Sequence, residues 1–337
     1  MIREAIQVLV SGNSLTMEDA ASVMEEIMQG EVTPAQFGAF VTALRLKGET
    51  VDEIAGLAKV MRAKAIPVIT NEPVIDIVGT GGDGLNTFNI STATAFVVAG
   101  AGLKVAKHGN RAASSQCGSA DVLEALGVKL ALTAEQVQKC LEEVGIGFMF
   151  APAFHPAMKY AAAPRREIGI RTVFNILGPL TNPAGAQTYL LGVADESLVE
   201  KLARVLQSLG CHHALVVHGG DGLDEITLTR ESEVCELEDG KTYNYFVSPE
   251  DFDLSRVSLD SLKGGTAEEN AILLREILAG APGPQRDVVL MNAAAALVAG
   301  DRTSSLQEGF DLAGEILDSG RALAKLDQLI KFTQSLT

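Results

Sequence analysis

The sequence predicts an α/β protein in which a small N-terminal α-helical domain precedes a large domain with a mostly parallel central sheet covered by helices. Helix-start signals recur through roughly the first 65 residues, with no alternating β pattern between them. After Pro67, short apolar runs end in glycine, as buried parallel strands do. These runs alternate with helical segments, which is typical of a sheet with helices on its faces. We place the domain boundary between residues 70 and 71.

The helical N-terminus is predicted from paired residues that can cap helices. In each pair, a threonine and an acidic or amide residue three positions later satisfy each other's free backbone N–H groups. The pairs are Thr16 with Asp19, Thr33 with Gln36, and Thr50 with Glu53. Pro34 also favours a first helical turn, because its fixed φ suits that position.

The strand-like runs set the order of the large domain. The candidate strands are residues 74–78, 103–106, 148–151, 189–193 and 214–217. Residues 233–247, with an Asp239-Gly240 turn, indicate a hairpin on the same sheet. Helices are predicted over residues 119–126, after Thr133, and from positions near 249, 266 and 285. Ligands of such folds bind at the carboxyl ends of the strands.

The composition limits the classes of partner. The chain has 337 residues, of which 43 are acidic and 27 basic, and a formal net charge of −16. That charge repels nucleic acid and anionic membranes, so neither is expected as a partner. No apolar run approaches the roughly 18 residues that span a bilayer. An amphipathic N-terminus and scattered cysteines without metal-site spacing predict a cytoplasmic protein with reduced thiols.

A glycine-rich loop, GTGGDG over residues 79–84, follows the first predicted strand. Glycine permits positive φ and close backbone approach, and successive N–H groups in such turns bind phosphate oxygens. Residues 86–92 then place amides and hydroxyls at the start of a helix, where the helix dipole favours anions. We interpret the segment as an anion-binding loop, with a polar helix cap as the alternative interpretation.

A second polar loop follows the next predicted strand and carries positive charge. It reads KHGNR over residues 107–111 and continues as a serine-rich segment to residue 119. An acidic chain that binds an anion needs such local cations, and Lys107 can serve as a point charge on phosphate. A solvated basic loop is the alternative.

Adjacent carboxylates follow the last predicted parallel strand, in HGGDGLDE over residues 218–225. Asp224 and Glu225 are costly to hold together unless a cation neutralises them, and hard oxygen ligands beside phosphates suit Mg²⁺. Asp221 is also explained by turn chemistry alone. The sequence therefore predicts a magnesium site with Asp224 and Glu225 as the better ligand candidates.

An aromatic and proline-rich segment, residues 150–180, predicts a pocket for a planar aromatic carboxylate. Arg165 is the candidate partner of that carboxylate, because a guanidinium can pair with it through two hydrogen bonds. A surface salt bridge to Glu167 or to a neighbouring helix is the alternative. His155 fits a packed structural role as well as a contact with the ligand.

Six strings occur in an order and spacing that resemble one family, the anthranilate phosphoribosyltransferases, over nearly the whole chain. They are GTGGDG, NTFNIST, KHGNRAASSQCGSADVLEALG, HPAMK, PRREIGIRTVFNILGPLTNP and HGGDGLDEIT. The resemblance implies transfer of the 5-phosphoribosyl group from phosphoribosyl pyrophosphate (PRPP) to anthranilate in tryptophan biosynthesis, with release of pyrophosphate. It also implies a nucleoside phosphorylase/phosphoribosyltransferase architecture, a homodimer through the small helical domain, a pair of magnesium ions per monomer, and helices near residues 165–185 that rejoin that domain.

The resemblance assigns roles to individual residues. It implies no nucleophile and no obligate base. Anthranilate would contact Gly79, Asn110 and Arg165, and magnesium would be held by Ser91, Asp224 and Glu225. The implied donor-binding residues are Gly79, Gly82, Asp83, Thr87, Asn89, Ile90, Ser91, Thr92, Lys107, His108, Gly109, Asn110, Arg111, Ala112, Ala113, Ser114, Ser115 and Ser119.

One departure and two alternative functions qualify the resemblance. Many members carry a Lys-Ser pair where this chain has Gln116-Cys117, so a positive charge near the donor is lost. A pyrimidine nucleoside phosphorylase would share the fold, but the KHGN and FNILGPLTNP strings disfavour it. A non-catalytic nucleic-acid-binding relative should have a basic face and eroded glycine loops, and this sequence has neither.

Overall fold

Four helices open the chain in the computed structural model, which describes residues 1–112 and 116–336. They are α1 (Ile2–Val10), α2 (Met17–Gln29), α3 (Pro34–Lys47) and α4 (Val51–Lys64). Thr33 and Thr50 each form the predicted capping box. At α2, Thr16 accepts the N–H of Asp19 at 3.1 Å. The predicted helical N-terminus is confirmed.

Within the described residues, seven strands form one sheet. They are β1 (Ile75–Gly79), β2 (Val105–Gly109), β3 (Ile146–Phe150), β4 (Thr188–Gly192), β5 (His213–Gly219), β6 (Ser232–Glu238) and β7 (Lys241–Val247). Their order is β3-β2-β1-β4-β5-β6-β7, with β1 to β5 parallel and β6 and β7 antiparallel. The predicted mostly parallel sheet and its hairpin are therefore confirmed.

Helices cover both faces of the sheet. Those after α4 are α5 (Ile90–Gly100), α6 (Ser119–Ala125), α7 (Ala134–Glu143), α8 (Ala151–Phe154), α9 (Lys159–Ile168), α10 (Phe174–Leu177), α11 (Val199–Ser208), α12 (Ala267–Leu278), α13 (Pro284–Ala299), α14 (Leu306–Asp318) and α15 (Arg321–Ser335). The crossovers β1–α5–β2 and β4–α11–β5 run in opposite directions across the sheet, so their right-handedness places α5 and α11 on opposite faces. In the middle of the chain, α9 packs against α2 and α3.

The strand order reverses between β1 and β4, and this position decides where a ligand can bind. These two strands pair in register from Ile75 opposite Thr188 to Gly79 opposite Gly192. The crossover helices leave β1 and β4 in opposite directions, which opens a crevice at their carboxyl ends. Open α/β sheets bind ligands in this crevice.

The core of the large domain lies between the sheet and α13. Every residue from Val288 to Ala299 is buried, because α13 is enclosed by β4, β5, α5 and α14. A helix that is apolar all round belongs in such a position. None of the helices described in the structure combines the length and apolar character of a membrane span.

Several element boundaries differ from the prediction. β1, β2 and β5 continue past their apolar runs to the glycines at 79, 109 and 219, because the ladder depends on backbone groups rather than on side-chain hydrophobicity. The helix predicted near residue 249 is only a 3₁₀ turn over Pro249–Phe252, since Asp253 has a φ of 57° that ends it. At the hairpin, Asp239 and Gly240 both have positive φ, as the predicted tight turn requires.

A buried histidine, His213, joins β5 to β6 and to the end of α13. Its Nδ1 lies 2.8 Å from Asp301 Oδ1, and its Nε2 lies 2.9 Å from Glu236 Oε1. Burial opposes protonation, but the hydrogen bonds to Glu236 and Asp301 outweigh it and raise the pKa of His213 above 6.5. The bond from His213 also lowers the pKa of Glu236 below 4.5.

The His213 cluster makes the stability of the fold depend on pH. Its stabilisation is fully present below pH 6.5 and is lost as the pH rises through the raised pKa of His213. The part due to Glu236 is lost as the pH falls below 4.5. We expect His213→Gln to lower the melting temperature by roughly 2–4 °C at about pH 6 and by less at about pH 9, measured by circular dichroism. Equal losses at both pH values would contradict a charged cluster.

Candidate active site

Two adjoining cavities lie at the carboxyl ends of the parallel strands. The smaller, called here the polar cavity, has a volume of about 300 Å³ and is lined by the loops after β1, β2 and β5. The larger, called the apolar cavity, has a volume of about 540 Å³ and extends toward α9 and α10. Both are lined by Val78, Gly79, Thr80, His108, Gly109, Asn110 and Asn175. The cavities therefore share one wall.

The glycine loop after β1 lies against the carboxylate of Asp224. A Cβ on Gly79 would lie 2.3 Å from Asp224 Oδ2, so no larger residue fits there. Gly81 donates its N–H to the same oxygen at 2.7 Å. Gly81 and Gly82 both have positive φ. The sequence predicts loop amides that are available to phosphate, but the amide of Gly81 is already engaged by this carboxylate.

Three carboxylates meet beside the polar cavity. Asp83, Asp224 and Glu225 each have an oxygen within 4.8 Å of the others. Burial and the neighbouring negative charges raise the pKa of Asp224 and of Glu225. Glu225 Oε2 is buried and lacks a hydrogen-bond partner among the described residues. A buried carboxylate oxygen without a partner, next to two further carboxylates, fits a divalent cation that prefers hard oxygen ligands.

Lys107 brings a cation to the same place. Its Nζ donates to the carbonyl of Ile77 at 2.6 Å and to Ser91 Oγ at 3.2 Å. Burial lowers the pKa of Lys107 to about 8, while nearby carboxylates, Asp76 foremost, oppose the fall. Lys107 therefore stays charged at neutral pH. Of the predicted magnesium ligands, Ser91 faces this ammonium group.

Asn89 connects the start of α5 to the loop after β2. Its Nδ2 donates to the carbonyl of Cys117 at 3.1 Å, and its Oδ1 accepts from the Cys117 thiol at 3.3 Å. Asn270 of α12 donates to the same Oδ1 at 3.1 Å. Within the Gln116-Cys117 pair, the cysteine is buried in this network and the glutamine is exposed. Nothing in the sequence pattern pointed to Asn270.

The loop after β2 is held in place by α6. Arg111 forms ion pairs with Asp121 and Glu124, with nitrogen–oxygen distances of 2.9 and 2.7 Å. The N–H of Ala112 also donates to Asp121, at 2.9 Å. The sequence predicts Arg111 as a cation for the donor, but its charge is already paired. The predicted donor residues Ala113, Ser114 and Ser115 lie outside the described residues.

Of the other predicted donor-binding residues, Asp83 belongs to the carboxylate cluster, and the rest divide into two groups. Ile90 and Thr92 are buried side chains of α5, and Thr87 forms a β-bridge with Lys263; none of the three is among the described residues that line the polar cavity. The predicted residues that line the polar cavity are Gly79, Gly82, Asn89, Ser91, Lys107, His108, Gly109, Asn110, Arg111, Ala112 and Ser119.

The apolar cavity has the lining that the sequence predicts for a planar carboxylate. Its lining includes Met61, Pro152, Pro156, Met158, Phe174 and Pro179. The guanidinium carbon of Arg165 lies 5.3 Å from the centre of the Phe174 ring. Burial lowers the pKa of Arg165, and no ion pair within the described part of the chain includes it. The alternative salt bridge to Glu167 is therefore not formed.

Two neutral histidines stand side by side in the apolar cavity. The rings of His108 and His155 are 5.0 Å apart. Burial lowers the pKa of His108 to about 3, and burial also lowers the pKa of His155. Neither Nε2 atom has a hydrogen-bond partner among the described residues. His155 is thus both buried and part of the lining of the apolar cavity.

Side chains outside the cavities hold the loop that carries Asp224 and Glu225. Asp221 accepts from the hydroxyls of Thr227 and Thr229 at 2.7 and 2.5 Å, which supports its interpretation as turn chemistry. Asn292 accepts the N–H of Ile226 at 3.0 Å and donates to its carbonyl at 2.8 Å. A polar residue inside the otherwise apolar stretch of α13, residues 288–299, is a signal that could have identified Asn292.

Two family descriptions together match most of the chain. Residues 3–65 match a family described as the helical bundle domain of the glycosyl transferase family. Residues 71–323 match a family described as the a/b domain of the glycosyl transferase family.

Similar proteins agree in name with one another. An anthranilate phosphoribosyltransferase of Dehalococcoides mccartyi is 63% identical over 338 residues, covering 100% of this chain and 99% of the relative. The crystal structure of the Thermus thermophilus anthranilate phosphoribosyltransferase superposes with a TM-score of 0.94 at 47% identity, covering 98% of this chain and 99% of that one. The Saccharomyces cerevisiae enzyme of the same name, in complex with PRPP and Mg, superposes with a TM-score of 0.90 at 30% identity, covering 99% and 98% of the two chains.

Proposed function

Because this chain belongs to the anthranilate phosphoribosyltransferase family and transfers the phosphoribosyl group of PRPP to anthranilate, we propose that PRPP occupies the polar cavity and anthranilate the apolar cavity. The wall that the two cavities share carries this assignment. Gly79 and Asn110 line both spaces, so a ribose on one side and an amine on the other can meet there. Holding two reactants in contact accounts for much of the acceleration that an enzyme gives to a bimolecular reaction.

The chemistry follows from the residues around the polar cavity. The lone pair of the anthranilate amine forms a bond to C1 of the ribose as the bond from C1 to pyrophosphate breaks. The electron pair of the broken C1–oxygen bond leaves with the pyrophosphate. The new ammonium group gives a proton to water. Lys107 stabilises the charge that develops on the leaving group, because it is buried and positively charged. No protein nucleophile is needed.

We propose that Ser91, Asp224 and Glu225 hold a pair of magnesium ions, with Asp83 beside them. The unpartnered Glu225 Oε2 and the raised pKa values of the paired carboxylates support this assignment. Magnesium, when bound, neutralises charge on the pyrophosphate oxygens. The protein's part is to hold the carboxylates in place through Asp221 and Asn292.

Arg165 is proposed to bind the carboxylate of anthranilate, with the ring between the proline and aromatic side chains. Arg165→Ala should raise the KM for anthranilate about tenfold or more and leave the KM for PRPP within about twofold, since one charge-assisted pair is lost. Steady-state kinetics with each substrate varied measures both constants. Arg166→Ala removes an exposed arginine from the same helix and is the control. A selective rise in the KM for PRPP would show that Arg165 serves the other substrate.

One assay tests donor, acceptor and metal together. Mixing the protein with PRPP, Mg²⁺ and anthranilate should extinguish the fluorescence of anthranilate, and omitting PRPP or Mg²⁺ should prevent it. Neither alternative function is favoured by the comparisons, and a phosphorylase would instead release a free base from a pyrimidine nucleoside in phosphate. That outcome, with anthranilate fluorescence unchanged, would overturn the assignment.

We also propose a domain boundary, a dimeric assembly and a cellular location for the protein. The boundary falls between residues 70 and 71, and residues 165–185 rejoin the helical domain, with which α9 packs.

Two copies associate through the helical domain, because Val10 of α1 is 68% exposed and Leu46 of α3 is 82% exposed. The location is cytoplasmic, in keeping with four free cysteines. Light scattering should report twice the mass of one chain, and a monomer would contradict the dimer.

A further inference from the structure

Arg171 lines the polar cavity and contacts the glycine loop. It lies in the loop between α9 and α10, and its Nη2 donates to the carbonyl of Gly81 at 3.0 Å. A Cβ on Gly82 would lie only 1.4 Å from Arg171 Nη1. The guanidinium therefore occupies the space that the missing side chain of Gly82 leaves open.

The charges around the polar cavity single out this arginine. Its lining includes the cations Lys107, Arg111 and Arg171. Arg111 is paired with Asp121 and Glu124, and the ammonium of Lys107 is buried against Ile77 and Ser91. Arg171 is exposed and forms no ion pair with any residue that the structure describes.

A ligand with several phosphate charges needs a cation at this position. Three carboxylates, Asp83, Asp224 and Glu225, already concentrate negative charge beside the cavity, within a chain of net charge −16. The carbonyl of Gly81 uses one N–H of the guanidinium and leaves the other donors of its fork free. Such a fork suits the paired oxygens of a phosphate group.

We propose that Arg171 is a donor-binding residue whose guanidinium pairs with phosphate oxygens of PRPP. This inference rests on the proposed placement of PRPP in the polar cavity. It also gives the segment from α9 to α10 two tasks, because Arg165 faces the acceptor and Arg171 faces the donor. The segment thereby carries one binding residue for each of the two substrates.

Steady-state kinetics of the full chain tests the proposal. Arg171→Ala should raise the KM for PRPP at least about tenfold, the loss expected for one charge-assisted hydrogen bond, while the KM for anthranilate changes less than about twofold. Arg171→Lys should recover part of the loss, because it keeps the charge but not the fork. Arg166→Ala is the matched control. An unchanged KM for PRPP, or equal rises for both substrates, would overturn the proposal.

Calorimetry separates this inference from the proposed function and identifies the phosphate group. Pyrophosphate with Mg²⁺, and ribose 5-phosphate, are titrated into the unmodified chain and into Arg171→Ala. Weaker binding of one of them by the variant supports the proposal and shows which end of PRPP Arg171 contacts. Equal binding of both by the two proteins overturns it. If the unmodified chain shows no transferase activity, the proposed function fails while these titrations still decide the role of Arg171.

Discussion

Replacing Asp224 with Asn and Glu225 with Gln should lower kcat by about a thousandfold or more, because charge stabilisation worth several kcal/mol at the leaving group is lost. The substitutions are isosteric and neutral, so the loop after β5 keeps its shape. The rate is measured at a magnesium concentration that saturates the unmodified chain. Unchanged kinetics would remove the pair from the reaction.

The same variant should not be less stable without magnesium. An acid whose pKa is raised by folding destabilises the folded state as the pH rises above the ordinary value, so removing these charges relieves that cost at neutral pH. We expect an equal or higher melting temperature in magnesium-free buffer and no further rise when Mg²⁺ is added. Glu142→Gln with Glu143→Gln, an exposed pair on α7, is the matched control and should keep both activity and the magnesium response.

Lys107→Met should lower kcat/KM for PRPP by about a hundredfold, the loss of roughly 3 kcal/mol from one buried charged hydrogen-bond donor. The side chain is 3% exposed, and no other described cation of the polar cavity is buried as deeply. Steady-state kinetics measures the change. Lys104→Met, just before β2 and outside the cavity, is the control, and a loss of similar size there would contradict a specific role.

Lys107→Met also leaves a buried negative charge without its partner, which lowers stability. Asp76 accepts hydrogen bonds from Asn182 at 2.7 Å and from the N–H of His108 at 3.2 Å, and Lys107 is its nearby countercharge. Adding Asp76→Asn removes that unpaired charge and should restore the melting temperature. If activity also returned in the double variant, the lysine would act on folding and not on the donor.

The positions of the site loops could be predicted because they depend on local patterns. Apolar runs that end in glycine define parallel strands, and the carboxyl ends of parallel strands share one edge. This reasoning brought the segments around Gly79, Lys107 and Asp224 to one place, where the structure has the polar cavity. The capping boxes of Thr33 and Thr50 could be predicted for the same reason, since a capping box lies within one helical turn.

The contacts between distant side chains could not be predicted in this way. Asn270 reaches Asn89 across 181 residues, and Arg171 reaches Gly81 across 90 residues. Neither periodicity nor local motif spacing holds information about such pairs. Asp83 joins the carboxylate cluster only because the glycines beside it take positive φ, and the sequence permits that path without requiring it.

The close fit of Asp224 between β1 and β4 restricts how this enzyme can be re-engineered for other amines. A methyl group at Gly79 would overlap the Asp224 carboxylate. A methyl group at Gly192 would lie 1.6 Å from the backbone carbonyl oxygen of Asp224. Libraries that seek new acceptors should therefore keep both codons fixed. Diversity belongs instead at Met61, Met158 and Ala162, which line the apolar cavity.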